Sequence, residues 1–219
     1  MERTLRKQSL ALESWRALRI LSEFVDGVET MSRYPSGVAV FGSARLKPDH
    51  PAYAQAELCG KLLAEKGFSV ITGGGPGIME AANRGAFDVG CKSIGLNIKL
   101  PAEQQPNPFI TPELCFQFKY FALRKFHFIL RAAAVVLFPG GFGTLDEMFE
   151  TLTLRQTHRM QPVPIILYGR EYWSKIVDFQ QLADEGVISD DHLDLFSWAE
   201  TPHEAWKQIV DFHNAKPKV

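Results

Sequence analysis

The sequence predicts an α/β fold: a doubly wound parallel sheet of about six or seven strands, helices on both faces, and an added N-terminal helix. Short apolar runs alternate along the chain with helical segments, which is typical of a parallel sheet whose strands are buried on both faces. Three of these runs end in turns that contain glycine. We expect residues 1–219 to form one domain, with residues 1–34 as a helical extension.

The elements can be placed in order along the chain. Apolar residues at helical spacing predict a first helix over residues 10–29, which packs on the domain and could also cover a neighbouring subunit. Strands are predicted at residues 37–41, 68–71, 93–98, 133–138, 163–168 and, as a short edge strand, 195–199. Helices are predicted at residues 53–66, 78–89, 121–131, 144–155, 172–184 and from Thr201-Pro202 to residue 214, with a loop at residues 101–112.

Right-handed crossovers bring the carboxyl ends of all these strands to one edge of the sheet, which is where ligands bind in such folds. The three glycine-containing turns therefore fall on the same edge. This convergence is the main reason to expect a binding site there.

Charge and cysteine content exclude several classes of protein. The chain has 24 Lys and Arg against 25 Asp and Glu, so no general positive field would attract nucleic acid. Cys59, Cys91 and Cys115 lack the spacing of a zinc site or disulfide framework, which favours free thiols in a reducing compartment. No signal peptide and no apolar run of membrane-spanning length is found. We expect a cytoplasmic protein that needs no metal.

The turn Gly140-Gly141-Phe142-Gly143-Thr144 lies between a predicted strand and a predicted helix. Glycines leave backbone N–H groups open to a ligand, and the positive end of the following helix favours an anion. A phosphate is the natural ligand for Gly140, Gly141, Gly143 and the Thr144 hydroxyl. A tight structural turn with a helix cap is the alternative.

Two further turns extend this candidate site. Gly73-Gly74-Gly75-Pro76-Gly77 matches neither the dinucleotide fingerprint nor a Walker A loop, so a nucleoside triphosphatase is disfavoured. Its Gly74 and Gly75 are candidate phosphate contacts. Gly42-Ser43-Ala44-Arg45 is a candidate third lip that could supply a hydroxyl and a cation, although Arg45 is at least as plausible as an ordinary surface charge.

Charged and polar side chains near these turns are the candidate reactive groups. Glu147 either faces the ligand or, at the Thr-x-x-Glu spacing, forms a capping box with Thr144. Arg124 and Lys125 lie at the start of an aromatic helical stripe, where a cation is either a solvated end or is aimed into a cleft. Arg124 suits recognition of a phosphate or a carboxylate, and Lys125 is a candidate phosphate or ribose contact. Glu80 and Asn83 could reach ribose hydroxyls or base edges, although they are equally plausible as ordinary helix residues.

Three segments together resemble one family. They are residues 71–83 (ITGGGPGIMEAAN), the pair Arg124-Lys125, and residues 139–147 (PGGFGTLDE). The set resembles the Lonely Guy family, the cytokinin riboside 5′-monophosphate phosphoribohydrolases, long mislabelled as lysine decarboxylases. Gly77-Ile78-Met79-Glu80 replaces the Gly-Leu-Met-Gly of the shorter plant-type members, so the chain is more similar to the longer bacterial branch.

The resemblance implies a Rossmann-like fold, no cofactor, and release of base and ribose 5-phosphate from nucleotides such as AMP or isopentenyl-AMP. It implies a part in cytokinin biosynthesis, a homodimer or larger homo-oligomer, and catalytic roles for Arg124 and Glu147. A carboxylate beside the anomeric carbon would stabilise the oxocarbenium-like transition state or activate water. Arg124 would hold phosphate or orient Glu147. No residue is identified as the acid for the leaving base.

Two alternatives remain at this stage. A non-catalytic carrier of a nucleotide or of molybdenum cofactor would use the same phosphate cradle, although it would not need the pair Arg124 and Glu147. A pyridoxal-dependent decarboxylase would need a Schiff-base lysine and a partner for the ring nitrogen, and the sequence shows no such constellation.

Overall fold

The computed structural model describes residues 2–32, 36–99 and 105–215. Its centre is one sheet whose seven strands are β1 (Gly37–Phe41), β2 (Ser69–Thr72), β3 (Ser93–Ile98), β4 (Cys115–Phe118), β5 (Ala132–Leu137), β6 (Ile165–Tyr168) and β7 (Ser197–Ala199). Their order is β4-β3-β2-β1-β5-β6-β7, and every neighbouring pair is parallel. The predicted doubly wound α/β class is confirmed.

Eight α-helices are described: α1 (Glu2–Ser32), α2 (Pro51–Glu65), α3 (Ile78–Asp88), α4 (Phe121–Arg131), α5 (Phe142–Gln156), α6 (Arg170–Ile176), α7 (Phe179–Asp184) and α8 (Pro202–Asn214). Short 3-10 helices lie at Pro112–Leu114 and Asp190–Leu195. None of the described helices is long and apolar enough to span a bilayer.

The sheet separates two apolar cores. On β1, Val38 and Val40 face one core, shared with α2, α3 and α8, whereas Ala39 and Phe41 face the other, shared with α4 to α7. The five central strands, β1, β2, β3, β5 and β6, therefore bury both faces, which explains their continuous apolar runs. The chain order reverses between β1 and its neighbours β2 and β5, so the switch point lies above the carboxyl ends of β1 and β5.

Strand β4 was not predicted. It occupies the outer edge of the sheet, pairs with β3 alone, and buries only Phe118 fully. Its four residues include the polar Gln117 and are too few to set a strand period.

The single helix predicted at residues 172–184 is wrong. The structure has α6 and α7, separated by Val177 and Asp178 in extended conformation. The Asp178 side chain accepts a hydrogen bond from the Gln181 amide and starts a new helix. The edge strand is also shorter than predicted, because Asp190–Leu195 forms a 3-10 helix.

Helix α1 is longer than the predicted residues 10–29 and is only partly packed. The ring centroids of Phe24 and of Phe126 in α4 lie 5.0 Å apart, and Met31 is buried in the second core. A stripe of apolar side chains nevertheless faces solvent: Leu12, Trp15, Leu18, Leu21 and Val25.

Candidate functional site

A cavity of about 730 Å³ opens at the switch point between β1 and β5. Its walls come from the turns after β1, β2 and β5 and from helices α3 to α6. The lining residues are Phe41, Gly42, Ser43, Ala44, Arg45, Gly73, Met79, Arg124, Phe128, Gly140, Gly141, Phe142, Gly143, Thr144, Leu145, Glu147, Tyr172 and Ile176.

Backbone hydrogen bonds hold the three turns together. The Ser43 amide donates to the Pro139 carbonyl, and the Ser43 carbonyl accepts from the Ile78 amide, both at 3.0 Å. Ser43 thereby joins the turn after β1 to the turn after β5 and to the start of α3. The convergence expected from strand order is present.

We call the three joined turns the glycine cradle. Gly140 lies at a point in this cradle where a larger residue would not fit. A Cβ atom there would overlap the Thr144 hydroxyl and lie 3.0 Å from the Ser43 amide nitrogen. The Tyr172 hydroxyl also donates to the Gly140 carbonyl at 2.7 Å, which fixes the turn to α6. By contrast, side chains at Gly141 or Gly143 would meet open space.

Helix α5 begins two residues earlier than predicted, at Phe142, with Gly141 as its N-cap. The amides of Thr144 and Leu145 donate to the Gly141 carbonyl. Thr144 is therefore inside the helix, so the alternative interpretation of Thr144 and Glu147 as a capping box is wrong. Gly141, Phe142 and Gly143 all line the cavity, and the amides at the start of a helix form an anion-binding position.

Glu147 lies on the cavity side of α5 and is only 5% exposed. Burial raises the pKa of its carboxyl from the ordinary 4.5 to about 7, although Lys125 and Arg124 oppose the rise. The group therefore titrates near neutral pH, as expected of a carboxylate placed for chemistry rather than for solubility.

Arg124 faces Glu147 from α4. Its Nη2 atom lies 3.8 Å from Glu147 Oε1, which is an ion pair but too long for a hydrogen bond. The Arg124 Nε–H is buried without a hydrogen-bond partner, and burial lowers the pKa of the guanidinium. Arg124 therefore lines the cavity with a charged guanidinium whose Nε–H donor is unused, which suits an incoming anion.

Lys125 does not line the cavity. Its Nζ atom lies 2.8 Å from Asp146 Oδ2 and 2.7 Å from Glu150 Oε2, both on α5. Burial lowers the pKa of Lys125, but the hydrogen bonds to these two carboxylates outweigh this effect and raise it. Lys125 braces α4 against α5 and so holds the helices of Arg124 and Glu147 together.

The second glycine turn contributes Gly73 to the lining, whereas Gly74 and Gly75 lie outside it. Gly74 has a positive φ of 71°, and a Cβ atom there would crowd Ile110. The Gly74 and Gly75 carbonyls accept hydrogen bonds from the backbone amide and the side-chain amide of Asn107, respectively. The loop at residues 105–111 is therefore hydrogen-bonded to this turn through Asn107 and holds it in place.

Asn83 and Glu80 are also placed away from the cavity. Asn83 is fully buried and hydrogen-bonds with Thr72, Ser93 and Asn107. Glu80 accepts a hydrogen bond from the Tyr53 hydroxyl at 3.0 Å. The structure does not bring either side chain to the ligand position predicted for it.

Several lining residues had not been singled out from the sequence. Tyr172 and Ile176 come from α6, and Met79 comes from the first turn of α3. Phe142 stands at the mouth and is 92% exposed. Phe142 and Met79 lie inside the two quoted glycine motifs, whereas Tyr172 and Ile176 had no local sequence signal and reach the site through tertiary packing.

The fold and the cavity define a class: an α/β protein with an anion cradle at its topological switch point and a buried carboxylate and guanidinium beside that cradle. Among the described residues, no group of three or more His, Cys, Asp and Glu side chains could hold a metal ion.

Comparison with known proteins identifies the particular family. The family described as "Possible lysine decarboxylase" matches residues 79–209. Cytokinin riboside 5′-monophosphate phosphoribohydrolase LOG7 of Arabidopsis thaliana is 31% identical over 168 residues, which cover 74% of each chain. The pyrimidine/purine nucleotide 5′-monophosphate nucleosidase of Escherichia coli K12 is 27% identical over 165 residues, which cover 70% of this chain and 35% of that protein. The chain belongs to the Lonely Guy (LOG) family.

Solved structures with the same fold include molybdenum cofactor proteins. The molybdenum cofactor binding protein of Rippkaea orientalis matches with a TM-score of 0.62 at 21% identity, over 83% of this chain and 99% of that one. The molybdenum cofactor carrier protein of Chlamydomonas reinhardtii matches with a TM-score of 0.56 at 21% identity, over 81% and 99%. At this identity the likeness shows the fold alone.

Proposed function

We propose that the chain hydrolyses the N-glycosidic bond of nucleoside 5′-monophosphates and releases the base and ribose 5-phosphate. The observation that carries this proposal is the buried Glu147 carboxylate in the same cavity as the glycine cradle. The names of the two curated relatives, a phosphoribohydrolase and a nucleosidase, support the same reaction class.

In the proposed complex the phosphate lies on the Gly140 turn and the first turn of α5, with Ser43 and Arg45 at the opposite lip. Arg124 supplies the positive charge and free N–H donors for the substrate anion. Because Glu147 lies one helical turn further along α5, its carboxylate faces the ribose.

The oxygen of a water molecule bonds to C1′ as the bond from C1′ to the base breaks. The water loses one proton in this step, and the departing base gains one, so the reaction balances. The ionised Glu147 stabilises the positive charge on the ribose or takes the proton from water. Burial strengthens that interaction because little water screens it.

The experiment that tests the proposal follows release of adenine from AMP by chromatography and AMP binding by calorimetry. Glu147→Gln should lower adenine release by about a thousandfold, because the neutral amide neither balances the developing charge nor accepts a proton. AMP binding should stay within about tenfold, because the phosphate cradle is unchanged. Arg124→Ala should lose turnover together with AMP affinity. Near-normal turnover of Glu147→Gln would show that the mechanism is wrong.

A carrier function is the second candidate, because the molybdenum cofactor proteins share this fold. A carrier would bind AMP or a cofactor phosphate without releasing a base, so the same assay on the unsubstituted chain decides between them. The decarboxylase description has less support: no lysine within the described part of the chain lines the cavity, and Lys125 is engaged with Asp146 and Glu150.

Substrate range, location and assembly are also proposals. We propose purine nucleotides, including isopentenyl-AMP and thus cytokinin production, as the substrates to test beside GMP, CMP and UMP. Three free thiols suit a cytoplasmic setting. The exposed apolar stripe on α1 and the exposed Phe121, Phe142 and Phe149 suit a homodimer or larger homo-oligomer.

A further inference from the structure

The N-terminal helix makes two specific contacts with α4, the helix that carries Arg124. The first contact is at the start of α4, where Glu23 Oε1 accepts hydrogen bonds from the backbone amides of Lys119 and Tyr120, at 3.0 and 3.2 Å. Tyr120 is the N-cap of α4, and its own side chain makes no capping hydrogen bond. Glu23, from a distant part of the chain, therefore satisfies the amide of this cap residue.

The second contact lies about two turns further along α4, at His127. Gly27 of α1 packs directly on His127, which is fully buried among the rings of Phe24, Phe118 and Phe126. A Cβ atom at Gly27 would overlap His127 Nε2, so the two helices approach as closely as their side chains allow. Together the two contacts hold α1 against α4 at two separate points.

Arg124 depends on this placement. Its amide bonds to the Tyr120 carbonyl at 3.2 Å, so the residue that receives the Glu23 cap also begins the turn that carries Arg124. The guanidinium sits at 3.8 Å from Glu147, a distance that a small displacement of α4 would change substantially.

We propose that Glu23 is a positioning residue for Arg124: its hydrogen bonds to the start of α4 hold the guanidinium at its distance from Glu147. The inference deepens the proposed hydrolase function and rests on it for its kinetic consequences. It gives the N-terminal helix a role in the site although none of the side chains described for residues 12–32 lines the cavity.

The test compares Glu23→Ala, Glu23→Gln and the control Glu13→Ala. Glu13 lies on the same helix but is exposed and pairs only with Arg16 among its described contacts. Glu23→Ala should reduce kcat/KM for AMP about tenfold or more, because small errors in position are costly in catalysis. Glu23→Gln should stay within about threefold, because its amide oxygen can accept the same two hydrogen bonds. Glu13→Ala should match the unsubstituted chain.

Two further measurements separate positioning from simple loss of stability. If Arg124 moves away from Glu147 in Glu23→Ala, the pH at which kcat/KM rises to half its maximum should increase by about half a unit or more. A purely structural defect would lower the melting temperature and the folded fraction without moving this pH. An unchanged pH profile in folded Glu23→Ala, or a Glu23→Gln chain as impaired as Glu23→Ala, would overturn the proposal.

Hydrogen exchange supplies a readout that does not depend on the reaction. The amides of residues 119–124 should exchange at least about tenfold faster in Glu23→Ala than in Glu13→Ala, because two hydrogen bonds at the start of α4 are lost. If the unsubstituted chain releases no base from any nucleotide, the proposed function fails, yet faster exchange would still show that Glu23 orders α4. Equal exchange in the two variants would overturn the role of Glu23 itself.

Discussion

At the scale of single residues, Glu147 shows how burial and reactivity are coupled. A carboxyl group that is largely removed from water resists ionisation, and the two nearby cations compensate for this only in part. Glu147 therefore changes charge near neutral pH. A general acid or base is most effective when its pKa lies near the pH at which the enzyme works.

The raised pKa of Glu147 predicts the pH dependence of the proposed reaction. Because the ionised form is the active one, kcat/KM for AMP should increase as pH rises through about 7. The second ionisation of a phosphate group occurs near pH 6, so the two transitions can be separated. Measurement of kcat/KM between acidic and alkaline pH checks this. A profile already flat below pH 6 would contradict it.

The same pKa predicts an effect on stability. Between about pH 4.5 and about 7 the folded chain keeps a proton on Glu147 that the unfolded chain releases, so the stabilising contribution present below pH 4.5 is lost as pH rises through 7. Glu147→Gln should therefore be more stable than the unsubstituted chain by up to roughly 3 kcal/mol at pH 8, with little difference at pH 4.5. Urea unfolding at the two pH values measures this; equal stability at pH 8 would argue against the raised pKa.

At the scale of elements, the turn into α5 uses two of its glycines for different reasons. Gly140 has no room for a Cβ atom, whereas Gly143 has space but faces the ligand position. The same motif therefore contains one glycine that is needed for close packing, Gly140, and one that leaves the backbone open to the ligand, Gly143.

This difference predicts distinct outcomes for two matched substitutions. Gly140→Ala should cost about 1–3 kcal/mol of stability and most AMP binding, because the new methyl displaces Thr144 and the start of α5. Gly143→Ala should keep or slightly raise the melting temperature, because alanine favours a helix at a site with open space. Thermal unfolding and AMP calorimetry of both variants provide the comparison. A stable Gly140→Ala chain with normal affinity would show that the turn is less constrained than described.

The hydrogen bonding that holds the second glycine turn in place also belongs to this scale. Thr72, Asn83, Ser93 and Asn107 form a buried hydrogen-bonded network beneath the turn. The position of Asn83 in α3 made it a candidate ligand contact. A residue at that position can equally face inward between α3 and the sheet, and the buried Asn83 does so. Whether a polar helix residue contacts a ligand or packs inward depends on its burial, and the local sequence does not show burial.

At the scale of the whole molecule, the apolar surface is unusual for a chain that acts alone. Trp15, Leu18 and Leu21 are each more than half exposed on one helix. A contiguous apolar surface of this kind is typical of a protein–protein contact. The proposed partner is a second copy of the chain.

Light scattering after size exclusion should therefore give a mass of at least two chains. The double substitution Leu18→Glu and Leu21→Glu should lower that mass or weaken the assembly, because it introduces charges into the apolar stripe. Glu13→Ala, on the same helix, is the matched control and should leave the mass unchanged. A single-chain mass for the unsubstituted protein at micromolar concentration would contradict the proposal.

The fold class followed from the sequence alone because buried parallel strands and their glycine turns leave local patterns: continuous apolar runs and residues suited to tight bends. Those patterns also led to Gly42, Ser43, Gly140, Gly141, Gly143 and Thr144, which the structure does place around one cavity. Strand β4 and the break at Val177 were missed, since each depends on a few residues whose local pattern is weak.

Tertiary structure alone decided how the charged groups are used. Sequence proximity could not distinguish Arg124, which faces the cavity, from its neighbour Lys125, which braces two helices. Nor could it connect Glu23 to the start of α4, which lies 97 positions away at Tyr120. Sequence patterns record the local backbone and its period, whereas the partner, burial and pKa of a charge depend on packing between distant segments of the chain.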